Sequence, residues 1–170
     1  MTEGFVVRGA CRQDVSELHA MIRALAEFEH LAHLCVATEA DLRDALFGPR
    51  PAAEALIAVD GGQAAGFTLF YHTFSTFLGR RSLWLEDLFV RPPYRGRGCA
   101  HALLRALASL AVERGCGRFE WAVLDWNARA IDFYRALGAD VLPDWRIVRL
   151  VGPALEALAE ERSHNPDDDR

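Results

Sequence analysis

The sequence predicts an α/β domain, and three observations carry that expectation. Strand-like apolar runs alternate with segments of helical spacing along the chain, two of those runs flank an Asp60-Gly61-Gly62 turn, and a glycine-rich loop joins an apolar run to an amphipathic helix. The elements read in order as strand, helices, strands, helix, strand, helix, strand.

Residues 5–7 begin a short strand, after which Val15, Leu18, Ile22 and Leu25 recur at helical spacing. Thr38 precedes Glu39, Ala40 and Asp41, where its hydroxyl suits the N-cap of a second helix. Residues 56–59 and 64–70 read as a hairpin around the glycine turn. Residues 74–81 form the next turn, and 83–90 the next strand. Leu103, Leu104, Leu107, Leu110 and Ala111 make one apolar stripe of a helix, with Gly115 placed to cap its end. A strand over 119–124, a helix over 127–137 closed by Gly138, and a last strand over 145–151 complete the pattern.

With 170 residues, 51% of them apolar and 25% charged, the chain is expected to fold as one domain over 1–162, followed by a polar, frayed tail over 163–170. A net charge of −5 argues against a non-specific grip on nucleic acid. Cys11, Cys35, Cys99 and Cys116 lack Cys-x-x-Cys spacing and read as reduced thiols, with neither a disulfide frame nor a metal site. Glu3 and the absence of a long apolar run speak against a signal peptide or membrane span, so a cytoplasmic location is expected.

The loop Arg95-Gly96-Arg97-Gly98-Cys99-Ala100 follows an apolar strand and opens into a helix, which is the setting of an anion site. Glycines let the backbone approach a ligand, free amides at the helix start favour a phosphate, and Arg95 and Arg97 add forked donors. A strand-to-helix turn that merely needs glycine has the same local signature.

Arg95, Gly98 and Ala100 also fill the Arg/Gln-x-x-Gly-x-Gly/Ala pattern, so the loop resembles the acyl-CoA loop of the GCN5-related N-acetyltransferase (GNAT) superfamily. Leu85-Glu86-Asp87-Leu88-Phe89-Val90, Val123-Leu124-Asp125-Trp126-Asn127 and Phe133-Tyr134-Arg135-Ala136-Leu137-Gly138 narrow the likeness. They resemble the spermidine/spermine acetyltransferase family, nearest its thialysine (diamine) branch, over about residues 5–161. The resemblance implies a mixed, mostly antiparallel twisted sheet flanked by helices on both faces and splayed at the acyl-CoA site. It also implies acetyl-CoA as co-substrate, a small amine acceptor and a homodimer.

The resemblance also implies roles for particular residues. Glu86 becomes the base that takes a proton from the amine, because at a lysine-like pKa only roughly one amine in a few thousand is neutral at pH 7. Tyr134 becomes the acid that protonates the leaving thiolate. The backbone of Leu88, Phe89 and Val90 pairs with the pantetheine arm, and the segment Arg95, Gly96, Arg97, Gly98, Cys99, Ala100 and His101 cradles the pyrophosphate. Asn127, with Ala128, Arg129 and Ala130, contacts CoA from the other side; Asn127 serves equally as a helix cap. Phe28, Glu29, Glu86, Asp87, Glu120, Trp121, Ala122 and Asp125 fall at acceptor-contact positions. In the loop Ser75-Thr76-Phe77-Leu78, Thr76 and Leu78 replace an acidic residue and a tryptophan of the polyamine-specific branch, which favours a shorter amine. A protein amine or aminated antibiotic as acceptor, and a non-catalytic acyl-CoA-binding module, stay open at this point.

Overall fold

The computed structural model describes residues 4–160, and the chain divides into two compact units, Met1–Ala122 and Val123–Arg170. Among the described residues the first unit carries five strands: β1 (Val6–Gly9), β2 (Glu54–Asp60), β3 (Gln63–Ser75), β4 (Arg80–Val90) and β5 (Arg118–Trp121). They lie side by side in chain order. Helices α1 (Val15–Phe28) and α2 (Glu39–Phe47) connect β1 to β2, and α3 (Cys99–Glu113) connects β4 to β5. The first four strands pair antiparallel, while β5 joins β4 in parallel, as a helical crossover demands. The sheet is therefore mixed and mostly antiparallel.

Both of its faces are covered, because successive side chains of a strand point to opposite sides. On one side Val15, Leu18 and Met21 of α1 and Leu42 and Leu46 of α2 pack on Ala55, Ile57, Phe67 and Phe89. On the other, Cys99 and Leu103 of α3 pack on Ala58 and Ala65, with Leu88 and Val90 partly buried beside them. Thr38 caps α2 as its sequence implies: its hydroxyl accepts from the Asp41 amide at 3.2 Å, and the Asp41 carboxylate accepts from the Thr38 amide at 2.9 Å.

The second unit holds α4 (Ala128–Ala136) and α5 (Pro153–Glu160). Gly138, at φ 87°, follows α4. The strand expected over 145–151 does not form. Its β-branched and aromatic residues supply propensity, but a strand needs a ladder, and none of the described residues pairs with this segment; Trp145 and Val148 are 79% and 91% exposed. Helix α5 was not read from the sequence, although it is amphipathic, rich in Ala, Leu and Glu, and starts on a proline. Two smaller differences concern strand ends. β5 stops at Trp121, and β3 and β4 extend into 74–81, which tightens that turn to 76–79. The tail over 163–170 lies outside the described residues. No described helix is long and apolar enough to cross a membrane.

Candidate active site

The site is built around an irregularity in β4. Its ladder with β3 pairs Leu85 with Phe70 and Asp87 with Leu69, so Glu86 is the extra residue of a β-bulge. In a regular strand Glu86 and Asp87 would point to opposite faces. The bulge turns both toward the α1–α2 face. Glu86 Oε2 accepts from Tyr71 Oη at 3.1 Å and from Trp84 Nε1 at 3.0 Å, and Asp87 stands opposite Leu69, which packs on the α1–α2 core.

The parallel ladder to β5 covers only Ser82 to Leu85. Among the described residues, Asp87 to Val90 ladder only with β3, so Leu88, Phe89 and Val90 follow the bulge on a strand edge without a second ladder, where the Val90 carbonyl accepts from Arg95 Nε. An extended ligand carrying amides can add to such an edge as a strand would.

Three carboxylates share this region. Burial first, and then the charges of Glu86 and Glu29, push Asp87 up to about 6. Burial also raises Glu29, the residue that closes α1. Among the described residues no hydrogen bond or ion pair reaches Asp87. Tyr71 is raised by burial and by the neighbouring Glu86 charge, and so keeps its proton at neutral pH. Next to Glu29, the Phe28 ring lies 5.5 Å from the Arg95 guanidinium, which is also 5.6 Å from the Phe89 ring. Phe28, expected at an acceptor-contact position, and the glycine loop thus meet through one cation.

The loop has the backbone that its glycines predict. Gly96 and Gly98 are left-handed, at φ 74° and 88°, with open space where a Cβ would stand, and Gly98 caps the 15-residue helix α3. Left-handed glycines leading into the N-terminus of a long helix are the backbone setting that suits an anion. The arginine side chains are engaged elsewhere. Arg95 Nε donates to the Val90 carbonyl at 2.9 Å, and Arg97 pairs with Asp60 at 2.8 Å while lying over Phe5 and Tyr94. Ala100 is half-buried and His101 exposed on the first turn of α3. Cys99 is buried, and burial pushes its thiol up to about 11, which removes it as a nucleophile near neutral pH. Beneath it, a Cβ on Gly66 would meet the Phe89 carbonyl at 2.6 Å and Cys99 Sγ at 3.3 Å. The absent side chain lets β3, the end of β4 and the start of α3 close up.

The other expected positions lie on or just after β5 and in the second unit. Glu120 on β5 is taken by Arg118 at 3.3 Å, Trp121 packs on Phe119 at 4.9 Å, and Ala122 is exposed. In the second unit, Asp125 is exposed and Asn127 caps α4, its Oδ1 accepting from the Ala130 amide at 3.2 Å. Ala128 and Arg129 are exposed on that first turn. Tyr134 is half-buried, with its ring 5.5 Å from that of Phe133. Sequence reasoning missed Tyr71 and Trp84 as partners of Glu86. Trp84, two residues before Glu86, was visible by strand alternation; Tyr71 depends on a cross-strand register that no local pattern reveals.

Residues 18–139 match the Acetyltransferase (GNAT) family. The chain is 37% identical to the thialysine N-epsilon-acetyltransferase of Mus musculus, over 90% of this chain and 96% of that protein. It is 34% identical to an L-ornithine N5-acetyltransferase of Arabidopsis thaliana, over 89% of this chain and 86% of the relative. Among solved structures, an integron cassette protein from V. cholerae has the same fold, with a TM-score of 0.79 at 23% identity, covering 94% of this chain and 99% of that one. An open strand edge and a glycine loop at a helix start, joined to these likenesses, make the chain an N-acetyltransferase of the GNAT family.

Proposed function

We propose that this enzyme moves the acetyl group of acetyl-CoA to a primary amine of a small cationic acceptor: a diamine, a polyamine or a thialysine-like amino acid. The observation that carries the reading is the grouping of Glu29, Glu86 and Asp87 around the bulge, directly before the open edge of β4. A cation is drawn to that field, and the edge holds an extended thioester beside it. The names of the relatives point the same way, since ornithine and thialysine are short molecules with a terminal amine. Thr76 and Leu78 at the β3–β4 turn offer no distal charge or indole platform to a long polyamine, which favours the shorter acceptors.

Transfer is direct, within a ternary complex. The loop's cysteine is buried and poorly ionised, so it does not suit an acetyl-enzyme intermediate. Amides from Arg95 to His101 hold the pyrophosphate, Leu88 to Val90 pair with pantetheine, and Asn127 to Ala130 bind CoA from their own helix. The family resemblance makes Glu86 the proton acceptor and Tyr134 the donor to the leaving thiolate. The protein works in the cytoplasm as a homodimer; the exposed Trp145, Ile147 and Val148 support a partner surface.

A screen of primary amines with acetyl-CoA, read by thiol release, tests this reading. Short diamines, ornithine and thialysine-like amino acids are expected to give a higher kcat/KM than spermine. Spermine ahead by tenfold or more would overturn the short-acceptor assignment, and no thiol release with any amine would overturn the proposed acceptor class.

A further inference from the structure

We infer that Tyr71 and Trp84 are the positioning residues of the proton acceptor: together they hold one oxygen of Glu86 and leave the other for the acceptor's ammonium. The inference rests on the acetyl transfer to an amine proposed above, with Glu86 as the base. It starts from the bulge, where Glu86 is the inserted residue of β4 and has no partner on β3. Pairing and pleat fix where a regular strand residue points, so an inserted glutamate needs something else to aim its carboxylate. A base that is poorly aimed loses much of its effect.

Two donors supply the aim. Tyr71 and Trp84 stand directly opposite each other in the β3–β4 ladder, next but one to the bulge. The tyrosine hydroxyl and the indole N–H both donate to Glu86 Oε2, at 3.1 and 3.0 Å. Both rings are half-buried, whereas Glu86 is exposed, so the fixed partners are the rings and the guided one is the carboxylate. Among the described residues no other group bonds to Glu86, which leaves Oε1 open.

The chemistry of the donors suits a base. An arginine on Glu86 would compete with the ammonium for the carboxylate, and none of the ion-paired arginines among the described residues is on it. A phenol and an indole hold the oxygen while staying neutral. The other ionisable groups on the surrounding elements are acids: Asp87 next to it, Glu29 at the end of α1, and Glu120, which lies opposite Trp84 on β5 and pairs with Arg118.

The step balances as follows. An O–H bond forms at Oε1 as one N–H bond of the ammonium breaks, and the electron pair left on nitrogen attacks the thioester carbonyl. The C–S bond then breaks, its pair going to sulfur. Nitrogen sheds a second proton as the amide forms, sulfur gains one to become the thiol, and Glu86 returns its proton to water. Tyr71 and Trp84 keep their own protons throughout.

The test is kcat of the full chain from pH 6.5 to 9.5, with ornithine or a short diamine and saturating acetyl-CoA. Tyr71→Phe and Trp84→Phe should each lower kcat roughly 10-fold at neutral pH, a fraction of the 10²–10⁴-fold that a general base contributes, with KM for acetyl-CoA unchanged. The loss should shrink as pH approaches the amine's own pKa, where solvent supplies neutral amine. In a Glu86→Gln background, Tyr71→Phe should cost nothing further, because no base remains to be aimed. No loss, a loss independent of pH, or the same fold-loss in both backgrounds would overturn the inference and make the pair packing residues. Thermal unfolding identifies a variant that fails to fold; should Trp84→Phe be one, Tyr71→Phe decides, since it deletes a single oxygen. Failure of the underlying reading looks different: wild type would release no thiol with any amine, or Glu86→Gln alone would keep full turnover.

Discussion

Replacing Asp87 by Asn should make stability depend less on pH, in a direction fixed by the surroundings of the carboxylate. Asp87 stands at about 6 in the folded chain against an ordinary 3.8, because burial and the charges of Glu86 and Glu29 disfavour its ionised form. The folded state therefore holds this proton more tightly than the unfolded state. The carboxylate costs little at pH 4, and its penalty grows as pH rises through 6 and is complete above it. The difference of roughly two pH units corresponds to about 2–3 kcal/mol by pH 7. Urea unfolding of wild type and Asp87→Asn at several pH values isolates this quantity, because the asparagine's own packing cost is the same at every pH. Relative to wild type, the variant should gain about 2–3 kcal/mol between pH 4 and pH 7. A difference that stays flat over that range would refute the burial of Asp87 beside the charges of Glu86 and Glu29.

Three further outcomes are expected. Gly66→Ala places a Cβ 2.6 Å from the Phe89 carbonyl, a backbone atom that yields only by moving β4, so stability should fall by about 1–3 kcal/mol and KM for acetyl-CoA should rise; unchanged urea midpoints would show that the strands part freely there. Gly98→Asp puts a side chain and a negative charge at a left-handed loop position, and should abolish the rise in melting temperature that acetyl-CoA gives wild type; equal stabilisation of both proteins would remove the loop from the phosphate site. Tyr134→Phe keeps the ring beside Phe133 but deletes the donor, and should lower kcat by roughly 10²-fold with little change in acetyl-CoA affinity; a stability loss with full turnover would make Tyr134 a packing residue.

Much of this protein was determined by local sequence, for identifiable physical reasons. Thr38 with Asp41, Asn127, and the left-handed Gly96, Gly98 and Gly138 act within a few residues of themselves, so capping and turn chemistry were legible along the chain. The apolar stripe of α3 and the hairpin at Asp60-Gly61-Gly62 were legible because periodicity reports which face is buried. Tertiary structure decided what depends on register and neighbours. One inserted residue in the pairing of β3 with β4 turned Glu86 and Asp87 to the same face and brought Tyr71 to Glu86. Only packing against the α1–α2 side set the two acids apart, leaving Glu86 held by donors and Asp87 shielded, with no hydrogen bond from a described residue. Residues 145–151 show the converse: they have the composition of a strand but remain without one, because a strand's hydrogen bonds belong to its partner as much as to itself.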